Sequence, residues 1–292
     1  MHYKYIFVKL FLFLLVTESA LAEISVTDNR GRVLDLAQPA QRVVSLSPHI
    51  TENLFAVGAG PQVVGVTSHS DYPAEALELP VIGNYESLNI EAIIALQPDL
   101  VIGWPDGNPR IQLERLEALG LPVYYSDPHL LKDIPANLRS FGILTGRSEG
   151  EALAQRFDFR LAELHRKYAG QASVRVFYQL WNKPLMTINH SQLIDQIISL
   201  CGGQNLFTGH AEPVPRLSVE SVLSVDPEVI LTGRKNIPQD WAEQWQQWHT
   251  LSAAKSDQFY QLNEDLLYRP TMRILDGAEA MCDTLQNVRE SR

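Results

Sequence analysis

Ser87-Leu-Asn-Ile-Glu-Ala-Ile-Ile-Ala-Leu-Gln-Pro-Asp-Leu-Val-Ile102 and Arg216-Leu-Ser-Val-Glu-Ser-Val-Leu-Ser-Val-Asp-Pro-Glu-Val-Ile-Leu231 are two copies of one pattern. At a constant offset of 129 residues, Leu88 matches Leu217, Ile90 matches Val219 and Glu91 matches Glu220. Ile93, Ile94 and Leu96 then match Val222, Leu223 and Val225, Pro98 matches Pro227, and Asp99 matches Glu228. Asn89 and Ser218 are residue types that cap helix N-termini, and the apolar positions after them recur at helical spacing. Pro98 and Pro227 stop the helix, and the apolar triplets Leu100–Ile102 and Val229–Leu231 read as buried parallel strands. Each copy is a helix–turn–strand piece of an α/β layer, so the duplication implies two lobes of one plan.

The flanking sequence extends both lobes. In the first, Arg42–Leu46, Pro61–Val66, the short Val81-Ile82 and Val123–Tyr125 read as strands. Thr51–Val57, ending at Gly58, and Ile111–Leu119, closed by Gly120, read as helices. In the second, Val174–Gln179 is a strand and Leu193–Leu200 a helix stopped by Gly202-Gly203. Residues 24–34 alternate around a turn and read as a hairpin. Between the lobes, Ser148–Tyr168 has no Gly or Pro interruption apart from Gly150 near its start. Ser148 reads as its cap, Glu149 and Glu151 suit its positive end, and Leu153, Phe157, Leu161 and Leu164 form one stripe. One long helix is a stiff connector, so the lobes are expected to move only slightly. The expected fold is α/β, with two Rossmann-like lobes joined by a single backbone helix and a ligand cleft between them. The expected divisions are a leader at 1–22, an N-terminal lobe at 23–147, the linking helix at 148–169 and a C-terminal lobe at 170–292.

The leader follows from Lys4 and Lys9, the apolar run Leu10–Val16, and the small-x-small triplet Ala20-Leu21-Ala22. That run is far shorter than the roughly 20 residues needed to span a bilayer. An exported chain, soluble in the periplasm after cleavage near Ala22, is expected. The chain of 292 residues holds 24 Lys and Arg against 34 Asp and Glu, a formal charge of −10. The leader carries Lys4, Lys9 and Glu18, so the remainder is one charge more negative. Such a field does not favour nucleic acid. The only cysteines, Cys201 and Cys282, lie in the second lobe without CxxC spacing, and in an oxidising compartment a structural disulfide is expected.

Chemistry-bearing motifs are sparse. No G-x-S-x-G elbow, P-loop or G-x-G-x-x-G follows an expected strand; Gly146-Arg-Ser-Glu-Gly150 matches the first in letters only and runs into the linking helix, so no catalytic residue is nominated. No paired-His motif suggests a metal site. Trp241, Trp245 and Trp248 fall at helical spacing and read as packing.

These residues carry a resemblance. Asp28–Gly31, Arg42-Val-Val-Ser-Leu-Ser-Pro48, Thr51-Glu52 with Gly58, Leu88–Glu91 through Gln97-Pro-Asp99, and Cys201-Gly-Gly203 with Asn205-Leu-Phe207 resemble a known class. It is the helical-backbone class of substrate-binding proteins serving import systems for cobalamin, haem and siderophores. Within it, Val66–Pro73, Arg175–Gln179, and Asp265 with Arg269 and Arg273 are most similar to cobalamin binders. Tyr85 and Val214 stand where those binders carry tryptophan, and Trp181 is an added aromatic.

The resemblance implies a cobalamin ligand rather than a cofactor, a disulfide between Cys201 and Cys282, and delivery to an ABC permease dimer in the inner membrane. It implies that Glu91 and Glu220, at the second position of equivalent helices, dock on permease arginines; the plainer reading is interaction with the helix dipole. For the ligand, Tyr72, Tyr85, Trp104, Trp181, Asp265 and Arg269 are expected, since a corrin is flat, partly apolar and rimmed with amides. Alternatively, Trp104 and Trp181 cap core edges and Arg269 pairs with Asp265 structurally. A haem or siderophore ligand is the second functional reading, with His49 or His69 as axial candidates. A secreted two-lobed enzyme is the remote third.

Overall fold

The computed structural model describes residues 24–233 and 237–292, so the leader at 1–22 lies outside the described residues. β1 (Ile24–Thr27) and β2 (Val33–Leu36) form the expected hairpin, with Ile24 opposite Leu36. A parallel sheet follows, built from β3 (Val43–Ser45), β4 (Val63–Val66), β5 (Leu100–Gly103) and β6 (Val123–Tyr125) in the order β4-β3-β5-β6. A second parallel sheet contains β7 (Val174–Gln179), β8 (Gly203–Asn205), β9 (Val229–Gly233) and β10 (Phe259–Leu262) in the order β10-β9-β7-β8. Counted within each lobe, both sheets run second, first, third, fourth. The duplicated segment therefore fills one equivalent place twice.

In the first copy α2 (Ile90–Ala95) feeds β5, and in the second α7 (Val219–Val225) feeds β9. Asn89 Oδ1 accepts the Ala92 N–H at 3.0 Å, and Ser218 Oγ accepts the Ser221 N–H at 3.2 Å, so both caps form as expected. Gln97 and Asp226 turn the chain into each proline with φ of 48° and 47°, in the left-handed region. The matched conformation is a consequence of matched geometry, since neither residue type is forced there.

The remaining helices are α1 (Pro48–Ala56), α3 (Arg110–Ala118), α4 (Asp133–Thr145), α5 (Glu149–Tyr168), α6 (Leu193–Leu200), α8 (Trp241–Gln246), α9 (Ser252–Lys255) and α10 (Ile274–Glu290). α1 begins three residues before the expected Thr51 because Pro48 suits the first turn, where its missing N–H costs nothing. Ser148 does not cap α5: it is itself helical and makes no side-chain cap bond. Instead α4 and α5 meet end to end at Gly146, and the helices cross at Gly142 and Gly150. A Cβ on Gly150 would lie 2.5 Å from the Leu138 carbonyl oxygen and 2.9 Å from the Gly142 Cα.

Alternating strand residues divide the interior into three clusters. Val44, Val101 and Val123 face an outer layer of the first lobe with Ile90, Ile93 and Leu116. Phe177 and Ile230 face an outer layer of the second lobe with Val222, Trp241 and Trp245. The other strand faces, including Val43, Leu100, Val176 and Leu231, share a single core with residues of α1, α4, α5, α6 and α10. From α5, Phe157 and Leu164 are buried in it and Leu153 and Leu161 pack against it. One apolar core thus runs through both lobes, the packing counterpart of the stiff connection read from the sequence.

Candidate functional site

The C-terminal ends of parallel strands point their following loops at one region, where ligands bind in open α/β sheets. From the first lobe, the loops after β3, β5 and β6 bring Ser47, Trp104 and Asp127 there. From the second come Leu180, the 188–194 segment, and the 267–270 stretch that precedes α10. Together they line a cavity of about 510 Å³ between the lobes. A neighbouring hollow of about 390 Å³ shares Trp104 and Asp106 and adds His69 and Tyr85. A larger hollow, about 760 Å³, lies elsewhere, bounded by α1, α5 and the 72–79 loop, with no residue in common with the interlobe cavity.

Trp104 is the large aromatic side chain among the residues that line both cleft cavities. Its N–H groups are both satisfied: the backbone donates to Asn108 Oδ1 at 2.7 Å and the indole to Asp127 Oδ1 at 3.1 Å. Its ring meets His49 edge to face with centroids 5.5 Å apart. His49 Nδ1 lies 2.7 Å from Ser47 Oγ, while Nε2 has no partner. Burial, with a smaller push from the Arg269 charge, takes His49 down to about 3, so its imidazole is neutral near pH 7. Tyr268 stands beside it in the cavity wall, its hydroxyl accepting from that of Tyr178 at 3.2 Å.

Arg269 is the fixed cation of the site. Nη1 donates to Asp71 Oδ1 at 2.7 Å, Nη2 donates to the His69 carbonyl at 3.3 Å, and Asp265 Oδ1 lies 3.4 Å away. On the opposite wall, His129 Nε2 lies 3.3 Å from Asp127 and 3.8 Å from Asp106. Burial first, then the neighbouring Asp106 carboxylate, raises Asp127 above the usual carboxylate range. Among the described residues, these three form a group whose donor atoms lie within 4.8 Å of one another, the spacing of a loose metal-ligand set. The sequence reading had named no metal site. Asp127 is also held by the Trp104 indole, which donates to its Oδ1.

The six residues expected at the ligand do not form one continuous lining. Trp104 and Arg269 line the interlobe cavity, Tyr85 the adjoining hollow, and Asp265 reaches the site through Arg269. Tyr72 instead lines the large hollow, with the Arg273 guanidinium 3.5 Å from its ring centroid. Trp181 is 41% exposed on the loop after β7, its indole donating to the Lys183 carbonyl at 3.2 Å. His49, Asp127, His129 and Tyr268 were not expected as cobalamin contacts. For Asp127 and His129 the available signal was their position after β6, at the C-terminal end of a parallel strand.

Glu91 and Glu220 are both exposed in the first turns of α2 and α7. Hydrogen bonds from its own backbone N–H and from Ser218 hold Glu220 below the usual carboxylate range. Glu91 Oε1 lies 3.7 Å from Arg115 Nη2. Cys201 and Cys282 form the expected disulfide, with Cα atoms 4.6 Å apart, joining the end of α6 to α10. Among the described residues no helix is long and apolar enough to cross a membrane.

Two like-wound parallel sheets with a walled cavity between them define a two-lobed protein with a cleft of ligand size. The comparisons place it more closely: residues 43–266 match the periplasmic binding protein family, to which the chain belongs. It is 39% identical over 257 residues to the vitamin B12-binding protein of Vibrio parahaemolyticus, spanning 87% of this chain and 93% of the relative. The crystal structure of the periplasmic vitamin B12 binding protein BtuF of Vibrio cholerae superposes with a TM-score of 0.80 at 39% identity, covering 86% of this chain and 98% of that one. A periplasmic heme binding protein from Pseudomonas aeruginosa superposes with a TM-score of 0.71 at 25% identity, over 83% and 91% of the two chains. The family is one of binding proteins, not enzymes.

Proposed function

We propose that this chain captures cobalamin in the interlobe cleft and delivers it to an ABC import permease. The observation that carries the proposal is the cleft itself: Trp104 and Arg269 stand on opposite lobes of one rigid frame, in a chain 39% identical to a solved vitamin B12 binder. Tyr85 beside Trp104 adds a second flat face for a corrin, and Arg269 with its carboxylate partners supplies polar contacts for the amide rim. Tyr72, Trp181 and Asp265 remain in the proposed contact set at its margins.

Glu91 and Glu220 are the proposed docking pair. Their exposure on equivalent helices of the two lobes suits a permease dimer with one basic socket per subunit, meeting the pair by separated charge contacts. The lobe boundaries at 147/148 and 169/170 belong to the same proposal, as does cleavage of the leader near Ala22 to leave a soluble periplasmic protein.

Calorimetric titration of the purified protein with cyanocobalamin is the decisive experiment. Saturable one-to-one binding, lost or weakened in Trp104→Ala, supports the reading. No heat with cyanocobalamin, together with a shifted Soret band on adding haemin, replaces it with haem binding. Binding of neither refutes both.

A further inference from the structure

The 269–273 stretch, which belongs to the second lobe, is tied to the first by a set of polar contacts. Glu52 of α1 is 3% exposed, and both its carboxylate oxygens are engaged. Oε1 accepts from Thr271 Oγ1 at 2.6 Å and from Arg273 Nε at 2.7 Å, and Oε2 accepts from Arg273 Nη2 at 2.6 Å. Beside it, Asn53 Nδ2 donates to the Pro270 carbonyl at 3.0 Å. These bonds join residues 217 to 221 positions apart in sequence.

The same stretch forms part of the ligand cavity, because Arg269 and Pro270 line it next to Tyr268. Thr271 and Arg273, immediately following, face Glu52, and Arg273 in turn carries the Tyr72 ring. We infer that Glu52 is a positioning residue for ligand binding: without lining the interlobe cavity, it fixes the distance between the lobes by clasping the segment that forms the cavity wall. The inference deepens the binding reading and rests on it for the ligand named, but not for the clasp.

The chemistry favours a fixed clasp over a yielding one. A carboxylate and a guanidinium meeting through two parallel hydrogen bonds set both distance and orientation. Parting them leaves a charge in a site where little water reaches it, so intermediate openings are disfavoured. Bound ligand then leaves when the permease separates the lobes, rather than by spontaneous opening.

The test uses two exposed positions related by the duplication, Ala95→Cys and Ser224→Cys, spin-labelled with the Cys201–Cys282 disulfide intact. In the parent protein the interlabel distance distribution should be narrow and the same with and without cyanocobalamin. Glu52→Gln should broaden it in the ligand-free protein, weaken cyanocobalamin binding at least tenfold through faster dissociation, and leave far-ultraviolet circular dichroism unchanged. Arg273→Lys, which keeps the charge but loses the paired donors, should fall between the two and serves as the readout if Glu52→Gln does not fold. A narrow distribution with parental dissociation kinetics in either folded variant overturns the inference. If no form binds cyanocobalamin, the ligand assignment fails, while the ligand-free distances still decide the clasp.

Discussion

Asp99 and Glu228, 129 positions apart, hold equivalent strands in register by the same bond. Asp99 Oδ1 accepts the Arg42 N–H at the head of β3 at 2.8 Å, and Glu228 Oε2 accepts the Arg175 N–H at the head of β7 at 2.8 Å. The arginines reciprocate. The Arg42 side chain donates to the Leu96 and Gln97 carbonyls, and that of Arg175 to the Asp226 carbonyl, closing the turn before each proline. The duplication therefore reaches beyond apolar spacing into the hydrogen bonds that splice the first strand of each lobe to the third. It places Glu91 and Glu220 on like helices because the turns and strands that follow those helices are bonded alike.

Removing either acid should loosen its own lobe. Asp99 also accepts the Gln41 N–H at 2.8 Å, so Asp99→Ala frees two backbone donors and Glu228→Ala one. Charge-assisted bonds of this kind contribute on the order of 1–2 kcal/mol each at partly exposed sites. Urea denaturation should show both variants destabilised, Asp99→Ala more so. Equal midpoints for both variants and the parent would remove this explanation of the conserved turn geometry between the copies.

Docking and capture should separate cleanly. Replacing Glu91 and Glu220 together by Ala is expected to leave cyanocobalamin affinity within twofold and to cut permease-dependent uptake more than tenfold. Each single variant should retain part of the activity, and association of the parent with the permease should weaken as salt rises from 50 to 500 mM, since exposed charge pairs are screened. A parallel loss of ligand affinity in the double variant would contradict the division of roles.

Reduction of the disulfide should cost stability without dissolving the fold. The bond closes a separation of 81 residues, for which loop-closure entropy gives roughly 4 kcal/mol. Cys201 and Cys282 lie fully buried in the shared core, so Cys201→Ala with Cys282→Ala is the packing-tolerant comparison. Its urea midpoint should drop well below that of the oxidised parent and match that of the reduced parent. An unchanged midpoint would show that the unfolded chain gains little from the link.

The frame was legible because it is periodic. Apolar triplets after Pro98 and Pro227, caps at Asn89 and Ser218, and the unbroken stripe on α5 each leave a local trace. α4 and α10 passed unread: Pro135 interrupts the helical signal of α4, and α10 has no capping residue, its N-terminus held by Arg273 and Thr271 instead. The site was less legible, because it is assembled by loops whose approach depends on how two lobes are set. Asp265 and Arg269 are four residues apart and were readable as a pair, whereas Arg269 with Asp71 joins residues 198 apart. Tyr72 lies after β4 as Asp127 lies after β6, yet the Arg273 guanidinium sits over its ring and it lines the other hollow.

His49 should make stability fall with acid in a way that can be isolated. Its imidazole is neutral in the folded protein down to about pH 3 because burial, aided by the Arg269 charge, opposes protonation, whereas in the unfolded chain it titrates near 6.5. Between those values the unfolded state binds a proton that the folded state refuses, so unfolding free energy rises with pH. This contribution is complete above about pH 6.5 and is lost as pH falls toward 3, at a limiting slope of about 1.4 kcal/mol per pH unit. In His49→Asn that slope should be absent, leaving only the shallower dependence from carboxylates. Urea midpoints for parent and variant at pH 4.5, 5.5, 6.5 and 7.5 measure it directly. Curves that stay parallel throughout would mean that water or a rotated ring lets the imidazole take up its proton in place, and that the polar floor of the cleft is wetter than its packing against Trp104 implies.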